Sequence, residues 1–162
     1  MIDHIQEAFE KTRLAGSIAA DTLDEVSSFI EPGITTEQID KLCNTFINDC
    51  GGYSAPLFYR GYPKSCCTSV NHVICHGIPT NKILKEGDII NIDVTVYKNG
   101  WHGDTSRMYC VGDVSIKATN LVKVTYNSMM NAIEILKENI TVGDIGYTIQ
   151  NYVEKKGYSV VR

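Results

Sequence analysis

The sequence predicts an α+β domain built around a repeated helical pair, and three observations carry that expectation. Helical periodicity occupies both ends of the chain, β-branched runs broken by Gly and Pro fill the middle, and the closing helical pattern copies the opening one. The 162 residues suffice for one domain with a core of its own and are too few for two ordinary ones. With 43% hydrophobic and 21% charged residues the composition is that of a soluble globular chain. A net charge of −4 without a basic cluster argues against DNA or RNA as a partner. No apolar stretch approaches the roughly 18 residues a membrane span needs. The start, Met1 to Arg13, is charged and helix-like and lacks the apolar centre of a secretory signal, so the expected location is cytoplasmic.

The first helix is read from Ile5, Ala8, Phe9, Ala15, Ile18, Ala19, Val26, Phe29 and Ile30, mostly three or four residues apart, with Pro32-Gly33 as its stop. The second starts near Thr36 and aligns Ile39, Leu42, Cys43, Phe46 and Ile47 on one face. Thr35 and Gln38 have the spacing of a capping box, in which a hydroxyl satisfies an orphan backbone N–H; Gly51-Gly52 end the helix. From Tyr53 to Val111 the pattern is strands and turns. After Gly112 helical spacing returns with Leu121, Val124, Met129, Ala132, Ile133 and Leu136, and a last helix is expected from about Val142 to Lys156.

A shift of 106 positions carries Ile34-Thr35 onto Ile140-Thr141, Ile39 onto Ile145, Phe46 onto Tyr152 and Gly51 onto Gly157. Amphipathic helices resemble one another without common origin, so chance similarity is one reading of this match. The favoured one is a duplicated α+β unit. On that reading residues 1–162 form a single domain, with a first half of about 1–112 and the start of a second at about 113–162. The second half reaches only Tyr158 to Arg162 after its glycine and is expected to lack its strands, leaving strand edges and apolar helix surface uncovered.

The most chemical stretch runs from Asn91 to Ser106. Asn99-Gly100 is a strong signal for a two-residue type I′ hairpin turn, which sets Lys98 opposite Trp101, Val96 opposite Gly103 and Thr95 opposite Asp104. Alternation of side chains then puts Asp93, Thr95, Asp104 and Ser106 on one face, with the α-carbons of Asp93 and Asp104 roughly 7–8 Å apart. Two carboxylates aimed into common space can hold one or two cations. A partnered structural aspartate and a plain solvated face are the alternatives, and the apolar run around Asp93 weighs against the last. Divalent transition metals take five or six ligands, so two aspartates alone do not complete a site.

The segment Cys66 to Pro79 invites a structural zinc reading, but its Cys and His spacings match no standard finger. A Cys75–His76 nucleophile pair is disfavoured, because neighbours on a strand point to opposite faces. His76 is expected at a strand end before the Gly77-Ile78-Pro79 turn. The six cysteines, Cys43, Cys50, Cys66, Cys67, Cys75 and Cys110, are expected as free thiols, mostly buried.

Four stretches together resemble type I methionine aminopeptidases: Gly61-Tyr62-Pro63-Lys64-Ser65, Val73 to Pro79, Glu86 to Thr95, and His102-Gly103-Asp104-Thr105-Ser106. Their order and separation match as well, and the resemblance covers essentially the whole chain. It implies the pita-bread (creatinase/aminopeptidase-like) fold, two pseudo-symmetric α+β halves around a metal centre, which agrees with the internal repeat. It implies removal of the initiator methionine from nascent polypeptides by a dinuclear metal-activated hydroxide, the metals being two divalent ions (cobalt, manganese, iron or zinc). Asp93 and Asp104 are then metal ligands, Asp93 chelating one ion and Asp104 bridging both. His76 matches the family's substrate-contacting catalytic histidine, and Tyr59, Tyr62 and Cys67 match positions that line the methionine pocket. Pro56 stands where relatives often carry a cysteine, so the pocket's shape departs there. The implied partner is the N-terminal methionine of a polypeptide emerging at the ribosome, with a monomeric full-length form, no DNA and no membrane.

The family's other ligands, one histidine and two glutamates, and a second histidine that assists the reaction lie downstream of Arg162. The expectation is a chain whose second half is truncated and that is inactive alone. Two further readings are a non-catalytic pita-bread binding protein and a related Xaa-Pro aminopeptidase or creatinase-type hydrolase. Retention of Asp93, Asp104 and His76 speaks against the first, the Tyr62-Pro63 and Cys75-His76-Gly77 segments against the second.

Overall fold

In the computed structural model, which describes residues 2–161, helical and strand elements follow in the order helix pair, sheet, helix pair. Met1 and Arg162, which bound two of the segments discussed above, lie outside the described residues. The chain divides into two compact units, Met1–Val114 and Ser115–Arg162.

The first unit contains α1 (Ile2–Ser27), α2 (Thr36–Asp49), β1 (Tyr53–Ser54), β2 (Cys67–Val70), β3 (Ile89–Lys98) and β4 (Trp101–Cys110). All pairings are antiparallel. β4 runs along the whole of one edge of β3, while β1 and β2 share the other, Ser54 lying opposite Val96 and Cys67 opposite Asp93. The β3–β4 hairpin has the expected register, Lys98 opposite Trp101 and Thr95 opposite Asp104. Asn99 and Gly100 both take positive φ, 53° and 89°, as a type I′ turn requires.

One face of this sheet forms the core. Ile90, Ile92, Val94 and Val96 are fully buried there against Ile18, Ala19, Leu23 and Val26 of α1 and Ile39, Cys43 and Ile47 of α2. α1 lies so close to β4 that a β-carbon on Gly103 would stand 2.1 Å from the backbone nitrogen of Gly16, which is why position 103 carries no side chain. Thr35 and Gln38 close the capping box at α2. α1 stops at Ser27, short of the expected Ile30; Phe29 is exposed, as are Ile5 and Phe9 at the other end of the helix. Of the expected stripe Ala15, Ile18, Ala19 and Val26 are buried, and Thr22 and Leu23 join them.

The second unit consists of α3 (Ile116–Glu134) and α4 (Val142–Lys155), packed on each other. Ser115 caps α3 by accepting from the Ala118 N–H, and Thr141 with Asp144 forms a capping box at α4. α4 starts and ends 106 positions after α2, and Gly51 and Gly157 follow their helices with φ of 68° and 79°. Among the described residues this unit contains no strand. All six cysteines are free; Cys43, Cys66 and Cys67 are buried, Cys50 is half-buried, and Cys75 and Cys110 are exposed. The expectation of mostly buried thiols therefore holds for three of them. No described helix is long and apolar enough to cross a membrane.

Candidate active site

The core face of the sheet takes the even-numbered residues of β3, so the odd-numbered ones project from the other side. That side carries side chains in rows across the strands. Cys67, Asp93 and Ser106 form one row, Thr95 and Asp104 the next, and Tyr53, Tyr97 and His102 the row nearest the turn. Alternation explains how Asp93 sits in an apolar strand at tolerable cost, since its neighbours Ile92 and Val94 face the opposite way. Burial pushes the Asp93 carboxyl above the usual carboxylate range. The Asp104 charge and a hydrogen bond shared with it add to the shift, and His76 offsets part of it. Gly103 between His102 and Asp104 allows α1 to approach one side of β4 while both polar neighbours face the other.

His76 reaches this face from a loop. The sequence reading placed it at a strand end, but β2 stops at Val70 and residues 71–80 are irregular. Asn71 ends the strand with φ of 54°, its side-chain oxygen accepting from the Ile89 N–H at 3.0 Å and its amide donating to Asp88 at 2.8 Å. The loop then folds back onto β2. The Thr68 N–H donates to the Gly77 carbonyl at 2.7 Å and the Gly77 N–H to the Ser69 hydroxyl at 3.2 Å. A β-carbon on Gly77 would stand 2.2 Å from the Thr68 carbonyl oxygen, so only glycine permits this contact. His76, held immediately before it with φ of 54°, is thereby fixed beside the carboxylates.

The opposite wall is residues 55–67. The Tyr62 hydroxyl lies 3.0 Å from the Cys66 carbonyl and 3.2 Å from that of Gly77, to which it donates, so this side chain ties the wall to the His76 loop. Burial, and next the neighbouring Cys67, hold the phenol well above its ordinary range, and burial likewise raises the Cys67 thiol. Asp40 on α2 accepts from the backbone N–H groups of Ser65 at 2.7 Å and Cys66 at 3.1 Å. An ion pair of Lys64 with Glu37, 2.8 Å, lies beside it.

These walls enclose a cleft of about 850 Å³. His76, Tyr59, Tyr62, Cys67, Asp93 and Asp104, the six residues singled out in the sequence, all line it, as does Pro56. Thr95, His102, Arg60 and Ile78 line it too. Thr95 and His102 share the face of the carboxylates, and the hairpin register that placed Asp104 was the signal for both. Asp40 had no such signal, because a single aspartate on an amphipathic helix reads as solvated. Among the described residues no group of three or more His, Cys, Asp or Glu side chains is gathered closely enough to hold a metal ion.

A profile of metallopeptidase family M24 matches residues 10–162. The methionine aminopeptidase of Rickettsia prowazekii (strain Madrid E) is 55% identical over 159 residues, 98% of this chain and 61% of its own length. That of Escherichia coli (strain K12) is 48% identical over 158 residues, 96% of this chain and 60% of its own length. The crystal structure of methionine aminopeptidase from Rickettsia prowazekii superposes with a TM-score of 0.95 at 55% identity, covering 97% of this chain and 63% of that one. The chain thus spans about 60% of the length of the curated relatives it matches. With the α+β architecture of the pita-bread fold and a family profile matched from residue 10 to residue 162, the chain belongs to metallopeptidase family M24.

Proposed function

We propose that the protein carrying this chain removes the N-terminal methionine from polypeptides with a metal centre of which Asp93 and Asp104 are two ligands. The observation that supports this best is the convergence of both carboxylates, His76, Tyr62 and Cys67 on one cleft. The carboxylate pair fits divalent cations. Asp93 ionises against both burial and the Asp104 charge, and a divalent cation held by the two carboxylates would relieve that repulsion. Divalent ions held there would supply Lewis acidity to the scissile carbonyl and to a water nucleophile near neutral pH.

The chain's own residues do the rest. The acidic face draws the cationic N-terminal amine inward and so admits free N-termini. Tyr59, Tyr62 and Cys67 offer aromatic and sulfur surface to a thioether side chain, which is polarizable and adapts its rotamers to an irregular slot. His76, fixed by the Gly77 contact, donates a hydrogen bond toward the carbonyl on which negative charge develops. Two carboxylates alone do not fill the five or six positions such ions take, and the relatives extend beyond the length this chain matches.

Hydrolysis of Met-Ala-Ser by the full-length protein with manganese or cobalt tests this reading, with Asp104→Ala alongside. The substitution is expected to lower kcat/KM by more than the about 10–100-fold typical of disturbing a ligand's support. Full activity in the variant, or cleavage of Xaa-Pro in preference to Met-Gly peptides, would overturn the assignment. The 162-residue chain alone is expected to show no turnover.

A further inference from the structure

Asp93 and Asp104 give the cleft its negative charge, and one residue of its lining opposes them. Among the described residues that line it, Arg60 is the only lysine or arginine. It is exposed, as are Tyr59, His76 and Asp104, whereas Asp93 is half-buried, so Arg60 lies on the solvent side of the cleft. Its guanidinium carbon lies 5.4 Å from the centroid of the Tyr59 ring, a cation–π contact that limits the side chain's wandering. The backbone under it is constrained as well. Phe58 and Arg60 both have positive φ, 65° and 49°, and the turn is closed by Phe58 N–H to Tyr62 C=O at 2.7 Å and Tyr62 N–H to Tyr59 C=O at 2.9 Å. Among the described residues no carboxylate lies within ion-pair distance of Arg60; the ion pairs there involve His4, Lys11, Lys64 and Arg107. A charge oriented by its neighbours and left without a counter-ion at a cleft mouth is available to whatever leaves the cleft.

We propose that Arg60 is a specificity-determining residue that pairs with an acidic side chain at the third or fourth residue of the peptide. The inference rests on the function proposed above, which places the peptide's amine at the carboxylates. The chain then runs outward at about 3.3–3.6 Å per residue when extended. The third and fourth residues pass the mouth, where the carboxylate of Asp or Glu meets the guanidinium and a lysine is repelled.

The test compares Met-Ala-Glu-Ser with Met-Ala-Lys-Ser, and Met-Ala-Ser-Glu with Met-Ala-Ser-Lys, in the full-length metal-loaded protein. An exposed pair of this kind corresponds to a preference of about two- to five-fold in kcat/KM for the acidic peptide. The preference is expected to vanish in Arg60→Gln, to persist in Arg60→Lys, and to shrink at high salt as screening sets in. An acidic-to-basic ratio unchanged by Arg60→Gln overturns the inference, and so does an equal loss on both peptides, which marks a purely structural role. Failure to cleave any methionyl peptide is a different outcome, since it removes the aminopeptidase reading and this one with it.

Discussion

Asp40 lies on α2, away from the cleft, yet the wall of the cleft hangs on it. Asp40 is 7% exposed, and its carboxylate satisfies two backbone N–H groups immediately before Cys67. Asp40→Ala leaves both amides buried without a partner and is expected to cost about 3 kcal/mol in urea denaturation, with Asp40→Asn recovering part through its remaining carbonyl oxygen. A cost below about 0.5 kcal/mol, the scale of an ordinary surface substitution, would show that water replaces the carboxylate. Tyr109 gives a pH signature. Burial pushes its phenol up to about 12, and its hydroxyl donates to the Leu23 carbonyl at 2.6 Å. The unfolded chain releases that proton near the ordinary value of about 10 while the folded one keeps it. The contribution is therefore whole below about pH 10 and lost as pH climbs toward 12. Tyr109→Phe should flatten the fall of Tm across that window, and parallel profiles for the two proteins would refute the assignment.

At the scale of elements, what could be read in the sequence was local. Thr35 with Gln38, Thr141 with Asp144, and Asn99-Gly100 each determine geometry within a few residues, and the caps and the hairpin register follow. Asp93 and Asp104 were legible as a pair for that reason. The position of His76 was not, because it depends on Gly77 meeting β2, a contact made only after the strand has formed. Arg60 and Asp40 escaped for the same reason, since cleft mouths and buried caps belong to tertiary structure. Gly103 separates the two kinds of cause. Gly100 has φ of 89° in open space, so Gly100→Ala is expected to cost about 1–2 kcal/mol of left-handed strain. Gly103→Ala must push the α1 backbone off β4 and should cost about 3 kcal/mol or more. Chemical denaturation of both variants checks the ranking, and the reverse order would mean that α1 yields easily.

For the molecule as a whole the internal repeat was the most informative pattern, because α2 and α4 match in length, capping box and trailing glycine at one constant shift. Burial is not repeated with it. The described residues of α3 bury only Ser128 and Ala132, and those of α4 only Val153. Ile116, Tyr126, Ile133, Val142 and Tyr147 are all exposed by half or more of their surface. Proteins that stay monomeric seldom leave contiguous apolar patches beyond a few hundred Å². The 162-residue chain is therefore expected to self-associate with rising concentration, and Tyr126→Lys combined with Ile133→Lys should weaken that association without reaching the buried sheet core of the first unit. Sedimentation velocity over a hundredfold range of concentration reads the effect directly. A concentration-independent monomer that unfolds in one cooperative step would show that these helices need no further cover.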